Sequence, residues 1–273
     1  MTTKRYAYEH VSSEILSEDM QFGEGAPKPG ERLPEFDLPT AGGGQLKTSD
    51  LAGRPILLVT GSFTCPMTAS SDPILKEFHA KFGSIIEFIT LYVREAHPGE
   101  HHDQAGVGEE KRAAARALKS RDQLPWTVAV DDPDGSVHRR LDEKPNAAYL
   151  TDWSGTIVFR SLWAGDQRGL ARALEAVAKG ERPPEEESTR RLVPMARGVG
   201  TMREMTRRAG PRARATSGGR LRQWASWRGS QTSTVRCRPH GGLRRRPPRS
   251  GSELRCSPPL FSDPPIVGCE LPS

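Results

Sequence analysis

From Leu33 onward the chain alternates apolar stretches with polar punctuation. Glu35–Leu38 predicts a short strand, Ala41–Gly44 a turn and Gln45–Thr48 its return. Pro55–Gly61 is a continuous apolar run (Ile56, Leu57, Leu58, Val59), the pattern of a strand covered on both faces. Cys65–Phe82 follows with Ile74, Leu75, Phe78 and Phe82 on one helical stripe. Pro73 predicts a kink or restart there, with Asp72 as a new N-cap. Ile85–Val93 predicts a second buried strand, His97–Gly108 a polar loop, Glu109–Ser120 a helix and Trp126–Val130 a third strand. Val137–Leu141 reads as a helical turn, and Ala148–Thr151 with Thr156–Trp163 as a hairpin. Asp166–Lys179 is an amphipathic helix stopped by Gly180. Helices between buried strands, followed by a hairpin, predict an α/β fold: a central mixed sheet flanked by helices, preceded by an N-terminal β-hairpin.

Composition divides this picture. Of 273 residues, 1–187 hold 22 Lys+Arg against 30 Asp+Glu, net −8. Residues 188–273 hold eighteen Arg, no Lys and four acids, net +14. The overall charge of +6 thus describes neither part, and the nucleic-acid inference that a basic chain invites applies only to the tail. Three segments are expected: a flexible approach over 1–30, a folded domain over 31–182, and an Arg/Pro-rich disordered tail over 183–273. Within that tail, Leu192–Arg208 retains some helical character. Beyond about 215, the Arg, Pro and Gly with no Lys match an out-of-frame reading of a GC-rich gene, which ranks ahead of an acidic-partner or nucleic-acid arm carrying Trp224 and Trp227. The longest apolar run is Pro55–Thr60 and Met1–Met20 is charged throughout, so a cytoplasmic protein with no membrane partner is expected.

Cysteine divides the same way. Cys237, Cys256 and Cys269 lie in the tail, leaving Cys65 alone in the patterned part, without a disulfide framework or thiolate zinc site. Cys65 stands where a buried strand gives way to a helix, in Gly61-Ser62-Phe63-Thr64-Cys65-Pro66. Unpaired N–H groups and the helix dipole there favour thiolate, which predicts a pKa below the usual 8.5 or so. Pro66 suits the first helical turn. The hydroxyls of Ser62 and Thr64 are candidates to donate to the sulfur or to a substrate. A small buried hydrophobe is the competing account of Cys65.

His97 closes the second strand, and parallel sheets place their sites at the carboxyl ends of strands, so it can meet Cys65 and move a proton. Glu95 is a candidate to orient the imidazole. His97, His101, His102 and Asp103 offer no convincing metal set, and Asp131, Asp132 and Asp134 read as a turn rather than a calcium loop. Gly42-Gly43-Gly44 is read as a hairpin turn, not a phosphate loop. Arg121, Arg139 and Arg160 are open candidates for a cation beside the thiolate.

These motifs carry a resemblance. Leu33-Pro34-Glu35-Phe36-Asp37-Leu38-Pro39 and the run from Gly42 to Pro55 resemble the redoxin/peroxiredoxin branch of the thioredoxin-like fold. Gly61-Ser62-Phe63-Thr64-Cys65-Pro66 with Leu91-Tyr92-Val93-Arg94-Glu95-Ala96-His97-Pro98 resembles the iodothyronine deiodinase family more narrowly, over roughly Pro27 to Arg182. The resemblance implies Cys65 as nucleophile at the family's selenocysteine position, with Glu95 and His97 as its polar partners. Ser62 and Thr64 enter the candidate site by their position beside Cys65, not by the resemblance. The resemblance implies a thiol-dependent oxidoreductase that removes halogen from an activated aromatic ring; a peroxiredoxin-like peroxidase and a non-catalytic binding module are the alternatives. No bound cofactor or metal is expected. The partners are a small-molecule substrate and an external thiol such as glutathione or thioredoxin, with a homodimer compatible. The chain departs from the family at Met67, where a second proline stands, and from thioredoxins at Thr68, where the resolving cysteine would be. Pro145 falls one residue early for the fold's proline facing the nucleophile and is not given that role.

Overall fold

The computed structural model describes residues 6–215; residues 1–5 and 216–273 lie outside the described residues, and with them Cys237, Cys256, Cys269, Trp224 and Trp227. A hairpin of β1 (Asp37–Pro39) and β2 (Gln45–Lys47) turns through Gly43 and Gly44, both at positive φ. Glycine accepts that backbone at little steric cost. A six-stranded sheet follows, built from β3 (Ile56–Gly61), β4 (Glu87–Tyr92), β5 (Thr127–Val130), β6 (Ala148–Thr151), β7 (Ile157–Ser161) and β8 (Glu187–Ser188). Their spatial order is β5-β4-β3-β6-β7-β8. β3, β4 and β5 run parallel, whereas β6 pairs antiparallel with both β3 and β7. This mixed sheet, with helices between its parallel strands and a terminal antiparallel hairpin, is a thioredoxin-like fold.

Strand alternation sorts side chains to the two faces. Leu57 and Val59 of β3 pack with Ile74, Leu75, Phe78 and Phe82 of α2 (Pro66–Phe82), Ala115 and Leu118 of α3 (Gly108–Asp122), and Leu170 and Leu174 of α5 (Gln167–Ala178). Ile56 and Leu58 face the other way, onto Phe36 and Leu38 of the hairpin and Val137 and Leu141 beside α4 (Ser136–Arg140). Each such fully buried aliphatic side chain contributes about 1.5–3 kcal/mol. The β3–β4 register brings the carboxyl ends of the two strands level, with Gly61 opposite Tyr92. The loop holding Cys65 therefore lies beside the loop holding Glu95 and His97.

Two sequence expectations within α2 need correction. Pro73 neither breaks nor restarts α2, which is continuous over Pro66–Phe82. The missing N–H forfeits one bond to the preceding turn, and the apolar stripe that follows Pro73 (Ile74, Leu75, Phe78, Phe82) holds the helix against the sheet. Asp72 caps nothing; it is buried, and desolvation followed by the neighbouring Asp122 pushes its carboxyl well above the usual range.

The fold also extends past both expected boundaries. Residues 6–30, expected to be a flexible approach, are anchored: Tyr6 is buried, its hydroxyl 2.8 Å from His138 Nδ1, and Ser12 caps α1 (Ser13–Glu18). Arg160 donates to the carbonyls of Ala26 (3.2 Å) and Pro27 (2.9 Å). After residue 182, where the domain was expected to end, β8 pairs with β7 and α6 (Leu192–Ala209) lies along α2. α6 buries Pro194, Gly198, Met205, Thr206 and Ala209, with Gly198 closely approached by Met67 of α2. Among the described residues no helix is long and apolar enough to cross a membrane.

Candidate active site

Cys65 is the N-cap of α2, in extended conformation (φ −81°, ψ 117°), with Pro66 opening the first turn. Its position at the strand–helix junction is as expected; its protonation is not. The residue is 1 % exposed, and burial pushes the thiol up to about 11. The Thr68 hydroxyl and the N–H groups of Thr68 and Met67 pull the other way, while the charge of Asp19 adds to the rise. The helix terminus acts as predicted, but desolvation outweighs it.

The hydroxyls expected to serve the sulfur are engaged with the neighbouring loop. Thr64 Oγ1 donates to Glu95 Oε2 (2.6 Å) and accepts from the His97 N–H (3.0 Å). Ser62 Oγ accepts from the Ala96 N–H (3.2 Å). Thr68, in the first turn of α2, is the hydroxyl that bears on Cys65.

Glu95 is tied to the same loop. Its carboxylate accepts from the Thr64 N–H (2.8 Å), from Thr64 Oγ1 and from the Tyr92 hydroxyl. Tyr92 in turn accepts from the Phe63 N–H (3.3 Å). Buried at 3 % exposure, the carboxyl is raised by desolvation and restrained by those hydrogen bonds. The result is a clamp joining residues 63–64 to residues 92–97, and so fixing Cys65 relative to His97.

His97 and Cys65 line one cleft of about 100 Å³. Pro66, Met67, Pro145 and Trp163 form its inner wall. Tyr8, Val11, Leu16 and Met20 close it from the N-terminal segment, and Met195, Gly198, Val199 and Met202 of α6 close it from the other side. Pro145, given no role from its sequence position, reaches the cleft. The wall is almost wholly apolar.

The candidate arginines lie elsewhere. Arg121 comes nearest along the chain, donating to the Phe63 carbonyl (2.5 Å) and stacking 4.4 Å over the Phe63 ring. Arg139 donates to the Asp134 carbonyl (2.9 Å), and Arg160 Nε to Glu187 (2.7 Å). Of the loop histidines, His102 stacks on Phe63, and the His101 N–H donates to the Ala209 carbonyl (2.9 Å). Asp103 pairs with Arg212 (2.8 Å). Asp131 caps α4 through the N–H groups of Val137 and His138. Among the described residues no cluster of His, Cys, Asp and Glu is arranged to hold a metal ion.

Sequence reasoning missed Tyr92, Thr68, Tyr8, Asp19 and Trp163. Tyr92 reads as one more core aromatic, and the Leu91–Pro98 motif that contains it was the available signal. The others come together only through the fold.

The chain is similar to type II iodothyronine deiodinases. It is 29 % identical over 128 residues to the Rattus norvegicus protein, covering 40 % of this chain and 44 % of that one. It is 30 % identical over 112 residues to the Homo sapiens protein, covering 35 % and 37 %. The chain thus spans less than half the length of these curated relatives. No family model matches. Among solved structures, similarity extends to a thiol:disulfide interchange protein DsbE described as putative, from Chlorobium tepidum (20 % identity, 56 % of this chain and 99 % of that one, TM-score 0.46). A hypothetical protein from Sinorhizobium meliloti 1021 shows 19 % identity over 60 % and 91 % of the two chains, with TM-score 0.47.

Proposed function

We propose that the protein is a thiol-dependent oxidoreductase in which Cys65 removes iodine from an activated aromatic ring, the chemistry named in the deiodinase relatives. The observation that carries this reading is the shared cleft: Cys65 at the front of α2, His97 on the same wall, and apolar surface around both. At rest the thiol holds its proton. When substrate arrives, His97 takes that proton and the sulfur attacks iodine. The S–I bond forms as the C–I bond breaks, its electron pair stays on the ring carbon, and His97 returns the proton there. One external thiol displaces iodide from the sulfenyl iodide to give a mixed disulfide; a second releases Cys65 and leaves as disulfide. Two electrons enter from the thiols, one aryl iodide becomes aryl hydrogen, and iodide departs. The clamp of Tyr92, Glu95 and Thr64 keeps the two loops in register throughout.

A second reading, reduction of hydroperoxides by the same sulfur through a sulfenic acid, is favoured by the small volume of the cleft, which suits a peroxide better than a ring. One comparison decides between the two. Thiol-dependent iodide release from iodinated phenols and thiol-dependent peroxide consumption are measured on the same full-length protein, with Cys65→Ser beside each. Iodide release that falls by about a thousandfold or more in Cys65→Ser supports dehalogenation. Peroxide consumption with no iodide release replaces that reading by the second. If Cys65 reacts with neither reagent, both give way to a binding module.

A further inference from the structure

One residue lining the thiol cleft carries a buried polar atom without a partner. Trp163 is 3 % exposed and lines the cleft beside Cys65 and His97, and its Nε1 is buried with no hydrogen-bond acceptor. Its own backbone is satisfied: its carbonyl accepts from Ser161 Oγ (2.9 Å) and from the Asp166 N–H (3.0 Å), which fixes the residue between β7 and the start of α5. A buried indole N–H is a pure donor, and leaving it unmade costs free energy that an apolar side chain of similar shape would avoid. Phe serves the packing role without that cost. The rest of the wall is mostly aliphatic and thioether side chains; its other polar side chains are Tyr8, which donates to the Ala96 carbonyl (3.3 Å), and Asp19 and His97, both of which have partners of their own.

We propose that Trp163 is a positioning residue whose indole N–H receives an oxygen of the substrate, selecting an aromatic ring that bears a hydroxyl over the same ring without one. The apolar wall covers the ring, the hydroxyl oxygen meets Nε1, and the ring is thereby turned so that its substituents are presented to Cys65. The inference rests on the cleft being where an aromatic substrate meets the thiol, yet its test requires no turnover.

The test uses the full chain and two probes of one shape, 4-chlorophenol and 4-chlorotoluene, which differ by OH against CH₃. Each is titrated as a protectant of Cys65 against iodoacetamide, with alkylation followed on the Cys65-bearing peptide by mass spectrometry. In the natural protein 4-chlorophenol is expected to protect at about tenfold lower concentration, the worth of one hydrogen bond in an apolar site. In Trp163→Phe the two probes should become equivalent, with 4-chlorotoluene unchanged, and Trp163→His, which keeps a ring N–H, should recover part of the preference. Should Trp163→Phe fail to fold, the natural protein labelled with ¹⁵N supplies the readout. The Trp163 indole N–H resonance should shift with 4-chlorophenol and stay in place with 4-chlorotoluene. Equal protection in the natural protein, a preference that survives Trp163→Phe, or an unmoved indole resonance would each overturn the assignment. Failure of iodide release with the phenol preference intact would remove the dehalogenase reading and leave Trp163 as the donor.

Discussion

The two sides of the Thr64–Cys65 turn are held by different physics. On the sheet side, buried hydrogen bonds donated to Glu95 by Thr64 and Tyr92 fix the loop, each made in a low-dielectric setting where an unmet partner is costly. On the opposite side, the sulfur meets two pieces of chain outside the central domain. The N-terminal segment is tied by Tyr8 to the Ala96 carbonyl (3.3 Å), and α6 by Thr201 to the Pro66 carbonyl (2.7 Å). The first side fixes where the chemistry can occur; the second governs what reaches it. The difference teaches that position and access are separately encoded, so substitutions on the two sides should fail in different ways.

His97→Ala offers the widest separation. Iodide release should drop by about a hundredfold, the usual worth of a positioned proton carrier. Alkylation of Cys65 by iodoacetamide should change by less than about threefold, since that reaction needs no proton delivered to carbon. Equal losses in both assays would remove the proton-carrying role. Next comes Glu95→Ala, which leaves the Thr64 N–H and the Tyr92 hydroxyl without an acceptor and should cost about 2–4 kcal/mol in a denaturant titration. A cost below about 1 kcal/mol would mean that the clamp does not hold the loops.

The pH dependence gives a smaller, graded effect. A thiol held near 11 is almost wholly protonated at neutral pH, so alkylation of Cys65 should climb about tenfold per pH unit between pH 8 and 10, with no plateau in that range. A plateau near pH 8 would show that the sulfur is not desolvated. The same shift acts on stability. Above about 8.5 the unfolded thiol ionises while the folded one keeps its proton, so the folded state loses stability as pH rises from there towards 11. The smallest effect belongs to the cover. A side chain at Gly198 would run into the Met67 sulfur, so Gly198→Val should wedge α6 away. Cys65 alkylation at pH 8 should then rise about fivefold, through a larger open fraction. An unchanged rate would place the barrier in the N-terminal segment instead.

Much of the central domain was legible because its physics is periodic. Ile56–Val59 reads as a two-sided strand since parallel strands are covered on both faces, and Ile74, Leu75, Phe78 and Phe82 mark the buried face of α2 at helical spacing. The covers carry no such signal. Tyr6 and Tyr8 anchor the N-terminal segment by placing Arg94 against both rings, about 5 Å from each, an arrangement with no period. In α6, Gly198 reads as a helix-breaking residue, although it is what allows close approach to Met67 of α2. The same gap explains the thiol. Position at a helix N-terminus predicts a lowered pKa only if solvent reaches that terminus, and the segments that exclude it are the ones the pattern did not reveal. Glu95 was placed in the site from sequence, but which hydrogen bonds its carboxylate would make depended on Tyr92, an ordinary core aromatic by pattern.

The closed cleft has a thermodynamic consequence. At about 100 Å³ it is smaller than the roughly 150 Å³ apolar cavity that admits benzene, so a ring can bind only a form in which the methionines of α6 or the N-terminal segment have parted. Such a ligand is weakened by the fraction of molecules that are open: one open molecule in a hundred costs about 2.7 kcal/mol, a hundredfold in apparent affinity. Anything that lifts α6 would then tighten substrate binding without touching the substrate, and by linkage the substrate would strengthen the hold of whatever lifts it.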